Sequence, residues 1–204
     1  DLHTARLLIA ILMGGQHNTA SIGAWLMLEL AHKPHLVEEM YKEQLKVLGS
    51  PPAPLTWENL QKLEFSAKVI KETLRLHSPI HSILRQVRSP MRVPGTEWVV
   101  PPSHTLLASP GTLARSEEFF PRPLEWDLHR WDKVDATEKP VGDSETVDYG
   151  FGVMSKAVTS PYLPFGAGRH RCVGENYAYA QLGAIVATFV RLLHIEQVDP
   201  KAPL

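Results

Sequence analysis

The single cysteine of the chain, Cys172, lies in the stretch PFGAGRHRCVGENY, among Gly166, Gly168 and Gly174 and beside Arg169, His170 and Arg171. Glycines accept φ > 0 and let another group approach the backbone closely. An apolar stretch with helical character follows, and the N–H groups and dipole at a helix start favour an anion. Together with the neighbouring basic side chains, this setting favours a thiolate over a thiol. A thiolate here could ligate a metal or attack an electrophile. The alternative is a glycine-rich turn carrying an inert cysteine, since unreactive buried cysteines are common. The chain has ten histidines, but no C-x-x-C spacing accompanies His170 and Cys172, so a zinc centre is poorly supported.

Two further groups could do chemistry. Glu72 and Arg75 are three residues apart and share one helix face. Spacing alone describes a solvated ion pair contributing less than about 1 kcal/mol. Gly14-Gly15-Gln16-His17-Asn18-Thr19 falls inside a helical stretch, where each glycine costs about 1 kcal/mol relative to alanine. Close helix packing would account for the glycines, and so would a groove in which His17 and Thr19 handle a bound molecule or protons.

The elements that must hold these residues follow from periodicity and breakers. Residues 1–31 read as one long helix ending before Pro34. It is apolar nearly all round in its first turns, as in a helix buried at the centre of a larger protein, which suggests a chain that begins inside a core element. Residues 34–48 form an amphipathic helix with Pro34 in its first turn and Gly49 after its end. Thr56 and Asn59 resemble a capping box opening a short helix, and residues 65–77 make a strong helix stopped by Pro79. From 80 to 110 the pattern changes to short strands and turns (ILRQV, RVPGTEWVVP, HTLLAS). GTLARSEEFF should form a short helix, residues 121–161 should be irregular, and a last helix should run from about Val173 to Leu193.

With 204 residues the chain can bury a real core. A net charge of −1 with 21% charged residues argues against a nucleic-acid surface or an acidic tail. One cysteine excludes an internal disulfide. The longest apolar run near the N-terminus, Leu7–Met13, is too short to span a bilayer.

Phe165-x-x-Gly168-x-His170-x-Cys172-x-Gly174 resembles the haem-binding loop of the cytochromes P-450, the haem-thiolate monooxygenases. Glu72-Thr-Leu-Arg75 resembles that family's E-x-x-R helix, and PLEWDLHRW (residues 123–131) its later aromatic-arginine motif, with Arg130 as third partner. GQH in the first helix and His77-Ser-Pro-Ile80-His81-Ser82-Ile83-Leu84-Arg85 are most similar to the sterol 14-alpha demethylases, fungal ones in particular. The resemblance covers residues 1 to about 195.

The resemblance implies a mainly α fold with a small β element, the C-terminal half of the family's fold entered within its long central helix. It implies haem b ligated through Cys172, with Phe165 and Gly174 in the cofactor loop and Arg85 and His170 binding propionates. It places His17, Asn18 and Thr19 in an oxygen groove distorted from regular helix. Asn18 stands where that branch has a hydroxyl residue. Ile80, Ser82 and Ile83 would face the sterol, and Glu72, Arg75 and Arg130 would form a buried network. The implied activity is sterol 14-alpha demethylation with electrons from NADPH through a reductase. The implied location is the cytosolic face of the endoplasmic reticulum membrane, anchored by an upstream region. Oxidation of another lipid or xenobiotic, a haem-binding protein without turnover, and a domain without haem are the competing expectations.

Overall fold

Leu2–His32 form one α-helix, α1, whose two halves have different surroundings. The computed structural model describes residues 2–132, 161–199 and 201. Every residue from Leu2 to His17 is exposed, while Ile22, Leu26, Glu29 and Leu30 are buried. The spacing of the buried set is a single helical stripe. Pro34 then opens α2 (Pro34–Leu48), which buries Leu36, Met40, Gln44 and Leu48, one residue per turn.

α3 (Trp57–Leu60) is a single turn capped by Thr56, whose hydroxyl accepts from the Asn59 N–H at 3.3 Å. The reciprocal half of a capping box is absent, because Asn59 Nδ2 donates to the Pro54 carbonyl at 2.9 Å instead. α4 (Glu64–Leu76) has no side-chain cap of its own at Leu63. A carboxylate from α2 does that work: Glu43 accepts from the N–H of Phe65 at 2.6 Å and of Ser66 at 3.0 Å. An anion at this end also suits the helix dipole.

Among the described residues, four strands make two small antiparallel ladders. β1 (Ile83–Gln86) pairs with β4 (Thr105–Ala108), Ile83 opposite Ala108. Between them β2 (Met91–Arg92) and β3 (Val99–Val100) form a hairpin. α5 (Pro110–Leu113) is one turn, not the ten-residue helix expected from GTLARSEEFF. A continued helix would give the Ala114 carbonyl to the N–H of Glu118. Arg75 takes that carbonyl at 2.6 Å, and Glu118 N–H turns to the Ser116 hydroxyl at 3.3 Å.

A 3-10 turn, Leu128–Trp131, precedes residues 133–160, which lie outside the described residues together with most of the segment expected to be irregular. A second 3-10 turn, Gly168–His170, leads into α6 (Glu175–Leu192), which begins two residues later than the sequence pattern suggests. The core is where α1, α2, α4 and α6 meet, with Leu26, Leu30, Met40, Val69, Leu74, Leu182 and Val186 all at most 2% exposed. Each such aliphatic side chain contributes about 1.5–3 kcal/mol by burial.

Candidate functional site

The loop before α6 is shaped by two glycines in the left-handed region, Gly166 (φ 70°) and Gly168 (φ 63°), where a Cβ would be strained. The chain folds back so that the Cys172 N–H donates to the Phe165 carbonyl at 2.9 Å and the Arg171 N–H to the Gly168 carbonyl at 3.1 Å. The Phe165 ring packs on Tyr179 of α6, centroids 5.3 Å apart. This anchors one side of the loop in the core and leaves Cys172 exposed as a free thiol on the other. Arg171 is committed to Glu175 in a bidentate pair at 2.5 and 2.6 Å, so much of its charge is neutralised rather than offered to the sulfur. His170 is exposed, and the side chain of Arg169 lies outside the described residues. A Cβ on Gly174 would sit 3.8 Å from the Cys172 sulfur, and one on Gly166 3.9 Å from Cδ1 of Ile83. β1 thus lies against the cysteine loop.

Behind the loop is a buried polar network. The Glu72 and Arg75 side chains are both fully buried, whereas spacing alone had described a solvated pair. Glu72 Oε1 accepts from Arg75 Nη2 at 2.8 Å, the Asp127 N–H at 2.9 Å and Arg130 Nε at 3.0 Å. Its Oε2 accepts from Arg75 Nε at 2.9 Å and Trp131 Nε1 at 3.0 Å. Arg75 spends its remaining donors on the carbonyls of Ala114, Pro123 and Glu125. Arg130 reaches those of Pro121, Arg122 and Glu125. One carboxylate faces two guanidiniums, and the surplus positive charge is spread over backbone carbonyls. The result clamps residues 121–131 onto α4. The Trp131 indole and the Asp127 amide were missed in the sequence; the indole lies next to Arg130 in an aromatic motif, but nothing marks a backbone amide as a ligand.

α1 stays a continuous helix through Gly14–Thr19, so the distortion expected there is not present. Asn18 Nδ2 donates to the Gly14 carbonyl at 2.9 Å, one turn back; the amide props the glycine backbone instead of pointing away from it. A Cβ built on Gly14 or Gly15 meets no atom within 4 Å, so close packing within the described residues does not explain the pair. His17 is exposed and Thr19 half-buried. α1 packs against α6, the helix that follows the cysteine loop. Ile80 and Ser82 are exposed, Ile83 is half-buried, and Arg85 is exposed with Nη1 donating to the Leu84 carbonyl at 2.9 Å. The structure therefore gathers Ile83 to the cysteine loop, and Glu72, Arg75 and Arg130 to each other. It leaves Arg85 and His170 at the surface.

Two partly buried clusters had no sequence signal beyond residue type. Tyr162 and Tyr179 face each other, hydroxyls 3.3 Å apart, and Tyr162 donates to the Lys71 carbonyl at 3.2 Å. Burial pushes Tyr179 up to about 12, and burial together with Tyr179 and the Glu175 and Glu72 charges pushes Tyr162 well above the ordinary phenol range. Glu29 is 3% exposed and pairs with His77 and Lys33. Burial pushes its carboxyl up, but those partners outweigh burial and hold it below the usual range.

Among the described residues no group of three or more His, Cys, Asp or Glu could hold a metal ion. One thiolate cannot capture an ion unaided, but it could complete the coordination of a metal that a macrocycle already holds. The exposed sulfur on a glycine-rich loop fits that task. Leu8, Ile11 and Leu12 of α1 are exposed apolar side chains. Arg85 and His170 are exposed.

The family model described as Cytochrome P450 matches residues 1–203. The chain is 81% identical, over all of its 204 residues and 40% of the relative, to the sterol 14-alpha demethylase CYP51C of Gibberella zeae. It is 59% identical to a sterol 14-alpha demethylase of Aspergillus flavus, over 94% of this chain and 39% of the relative. It is 53% identical to the eburicol 14-alpha-demethylase of Penicillium italicum, over 94% and 36% respectively. The crystal structure of the cytochrome P450DA heme domain superposes with a TM-score of 0.70 at 19% identity, covering 89% of this chain and 36% of that one. The last likeness shows the fold alone. The chain spans about two fifths of the length of the curated relatives it matches.

Proposed function

This chain belongs to the cytochrome P450 family, and from that premise we propose that it is the cysteine-bearing portion of a haem-dependent sterol 14-alpha demethylase. The observation that carries the reading is the lone exposed thiol of Cys172, held outward by a loop whose glycines are forced into the left-handed region. Family membership supplies haem as the cofactor. A thiolate ligand favours O–O cleavage when the haem is bound.

The chain's own residues do the positioning. Cys172 provides the ligand, and the Phe165 anchor fixes where its sulfur points. Arg85 and His170 hold the propionates. The Glu72–Arg75–Arg130 network keeps residues 121–131 from shifting behind the loop. His17 and Thr19, the residues on either side of Asn18 in the chain, order water and protons at the face of α1. Ile80, Ser82 and Ile83 meet the sterol. The reaction is three successive oxidations of the 14-alpha methyl group, each using dioxygen and two NADPH-derived electrons passed through a reductase, with final release as formate. No helix among the described residues is long and apolar enough to cross a membrane. We place the protein at the cytosolic face of the endoplasmic reticulum, attached by a segment outside these residues.

The test is expression in a chain of the relatives' length, followed by titration and turnover with lanosterol and eburicol. A substrate-induced spectral shift and demethylated product are expected. Haem binding without turnover would favour a haem protein in which Asn18 has disabled proton delivery. Turnover of unrelated lipids alone would move the substrate class.

A further inference from the structure

The segment between α4 and β1 is gripped at both ends by groups outside the site described above. At its start, the ring of His77 lies flat on Trp25 of α1, centroids 3.8 Å and planes 8° apart. The edge of the same ring, Nε2, pairs with Glu29 Oε1 at 3.0 Å. Trp25 and Glu29 are one turn apart, so a single stripe of α1 holds both the face and the edge of the imidazole. Lys33, a further turn along, pairs with Glu29 and lies over the ring of Trp126 at 5.0 Å.

At the far end the grip is steric. A Cβ on Gly111 would come within 2.4 Å of His81 Cδ2, a contact that no side chain tolerates without movement. The Gly111 N–H and the Ser109 hydroxyl both donate to the His81 carbonyl, at 3.2 and 3.1 Å. Between the two grips lie Ser78, Pro79 and Ile80, with the Ser78 hydroxyl bonded to the Ile80 carbonyl at 3.3 Å. Ile80 itself is 49% exposed. A cavity of about 210 Å³, lined by Ser21, Trp25, His77, His81, Gly111 and Arg115, separates this segment from α1.

Stability alone gives no reason for a carboxylate at position 29. It sits beside the core stripe of Ile22, Leu26 and Leu30, where an apolar residue would avoid the desolvation that a buried ion must offset. What Glu29 adds is direction: an imidazole held at one edge and one face cannot rotate or slide. We propose that Glu29 and Gly111 are positioning residues for substrate selection, which from opposite sides fix Ile80 relative to α1 without touching substrate themselves. This rests on the sterol-oxidising reading above.

The test uses the holoenzyme in a chain of the relatives' length, as wild type, Glu29→Gln, Glu29→Asp and Gly111→Ala. Affinity for lanosterol and for eburicol is measured by spectral titration per mole of haem, and hydrogen exchange is followed in the peptide covering residues 78–83. Glu29→Gln and Gly111→Ala should each weaken sterol binding about three- to tenfold, tenfold corresponding to about 1.4 kcal/mol. The ratio between the two sterols should change, exchange in 78–83 should quicken, and the thiolate-type carbon monoxide spectrum should persist. Glu29→Asp, which keeps the charge, should recover part of the affinity. If Gly111→Ala yields no folded protein, Glu29→Gln decides alone. Variants that keep wild-type affinity, sterol ratio and exchange, losing only thermal stability, would overturn the proposal while leaving the sterol reading intact. A wild type that binds neither sterol would overturn that reading and this proposal with it.

Discussion

At the scale of single residues, Glu72 carries the most. Its two oxygens accept five hydrogen bonds, from Arg75, Arg130, Trp131 and the Asp127 backbone. Removing the carboxylate by Glu72→Ala strands two guanidiniums, one of them fully buried. We expect a loss of about 3–5 kcal/mol in unfolding free energy, measured by denaturant titration. Arg75→Lys should fall in the same direction, because one ammonium cannot replace a planar fork that bonds a carboxylate and three carbonyls. Spacing announced the Glu72–Arg75 contact but not its burial: a pair three residues apart looks the same in sequence whether water or protein surrounds it. Burial became an expectation only through the ordered motifs around Arg130 and Cys172. The Arg171–Glu175 pair shows the opposite case. Its four-residue spacing is readable in the sequence, but the run of basic residues beside the cysteine does not show that Glu175 neutralises one of them.

At the scale of elements, the sequence pattern located α1, α2 and α4 to within a residue; α2, α4 and the second half of α1 each present a regular buried stripe. It overran at α5, where a distant arginine captures the Ala114 carbonyl, and no local pattern encodes that competition. Gly14 offers a direct test of what α1 is for. Since a Cβ there meets nothing within 4 Å, Gly14→Ala should stabilise the helix by about 1 kcal/mol. If the glycine pair serves a haem-facing groove, the same change should reduce haem incorporation or oxygen-dependent turnover. A gain in stability with unchanged haem loading and turnover would count against the groove.

The junction of α4 and α6 makes a second prediction. Tyr162 and Tyr179 are neutral in the fold, with ionisation pushed well above the ordinary 10.0 and up to about 12 respectively. Both groups ionise more readily in the unfolded chain, so their contribution is fully present below about pH 10 and falls as pH rises above it, the Tyr179 share being lost by about 12. Alkaline unfolding followed by circular dichroism, with tyrosinate absorbance alongside, should show both phenols ionising together with loss of structure. Tyr179→Phe should flatten the stability loss in that window.

At the scale of the whole molecule, the described residues contain one four-helix core and a large uncovered apolar surface. Leu7, Leu8, Ile9, Ile11, Leu12 and Met13 are each more than half exposed, far beyond the scattered apolar residues of an ordinary surface. The 204 residues alone should therefore bind haem weakly, turn over no sterol and light up a hydrophobic dye. Tight haem retention and steady demethylation by the isolated chain would contradict this. The relatives are about two and a half times as long, so the sequence makes legible only the part of the fold it spans.

The most direct measurement is the reduced carbon monoxide difference spectrum of a chain of the relatives' length, with and without Cys172→Ala. A long-wavelength Soret band of thiolate-ligated haem should be present in the wild type and absent in the variant. Persistence of that band in the variant would mean that another residue ligates the iron, and the assignment of Cys172 would be wrong.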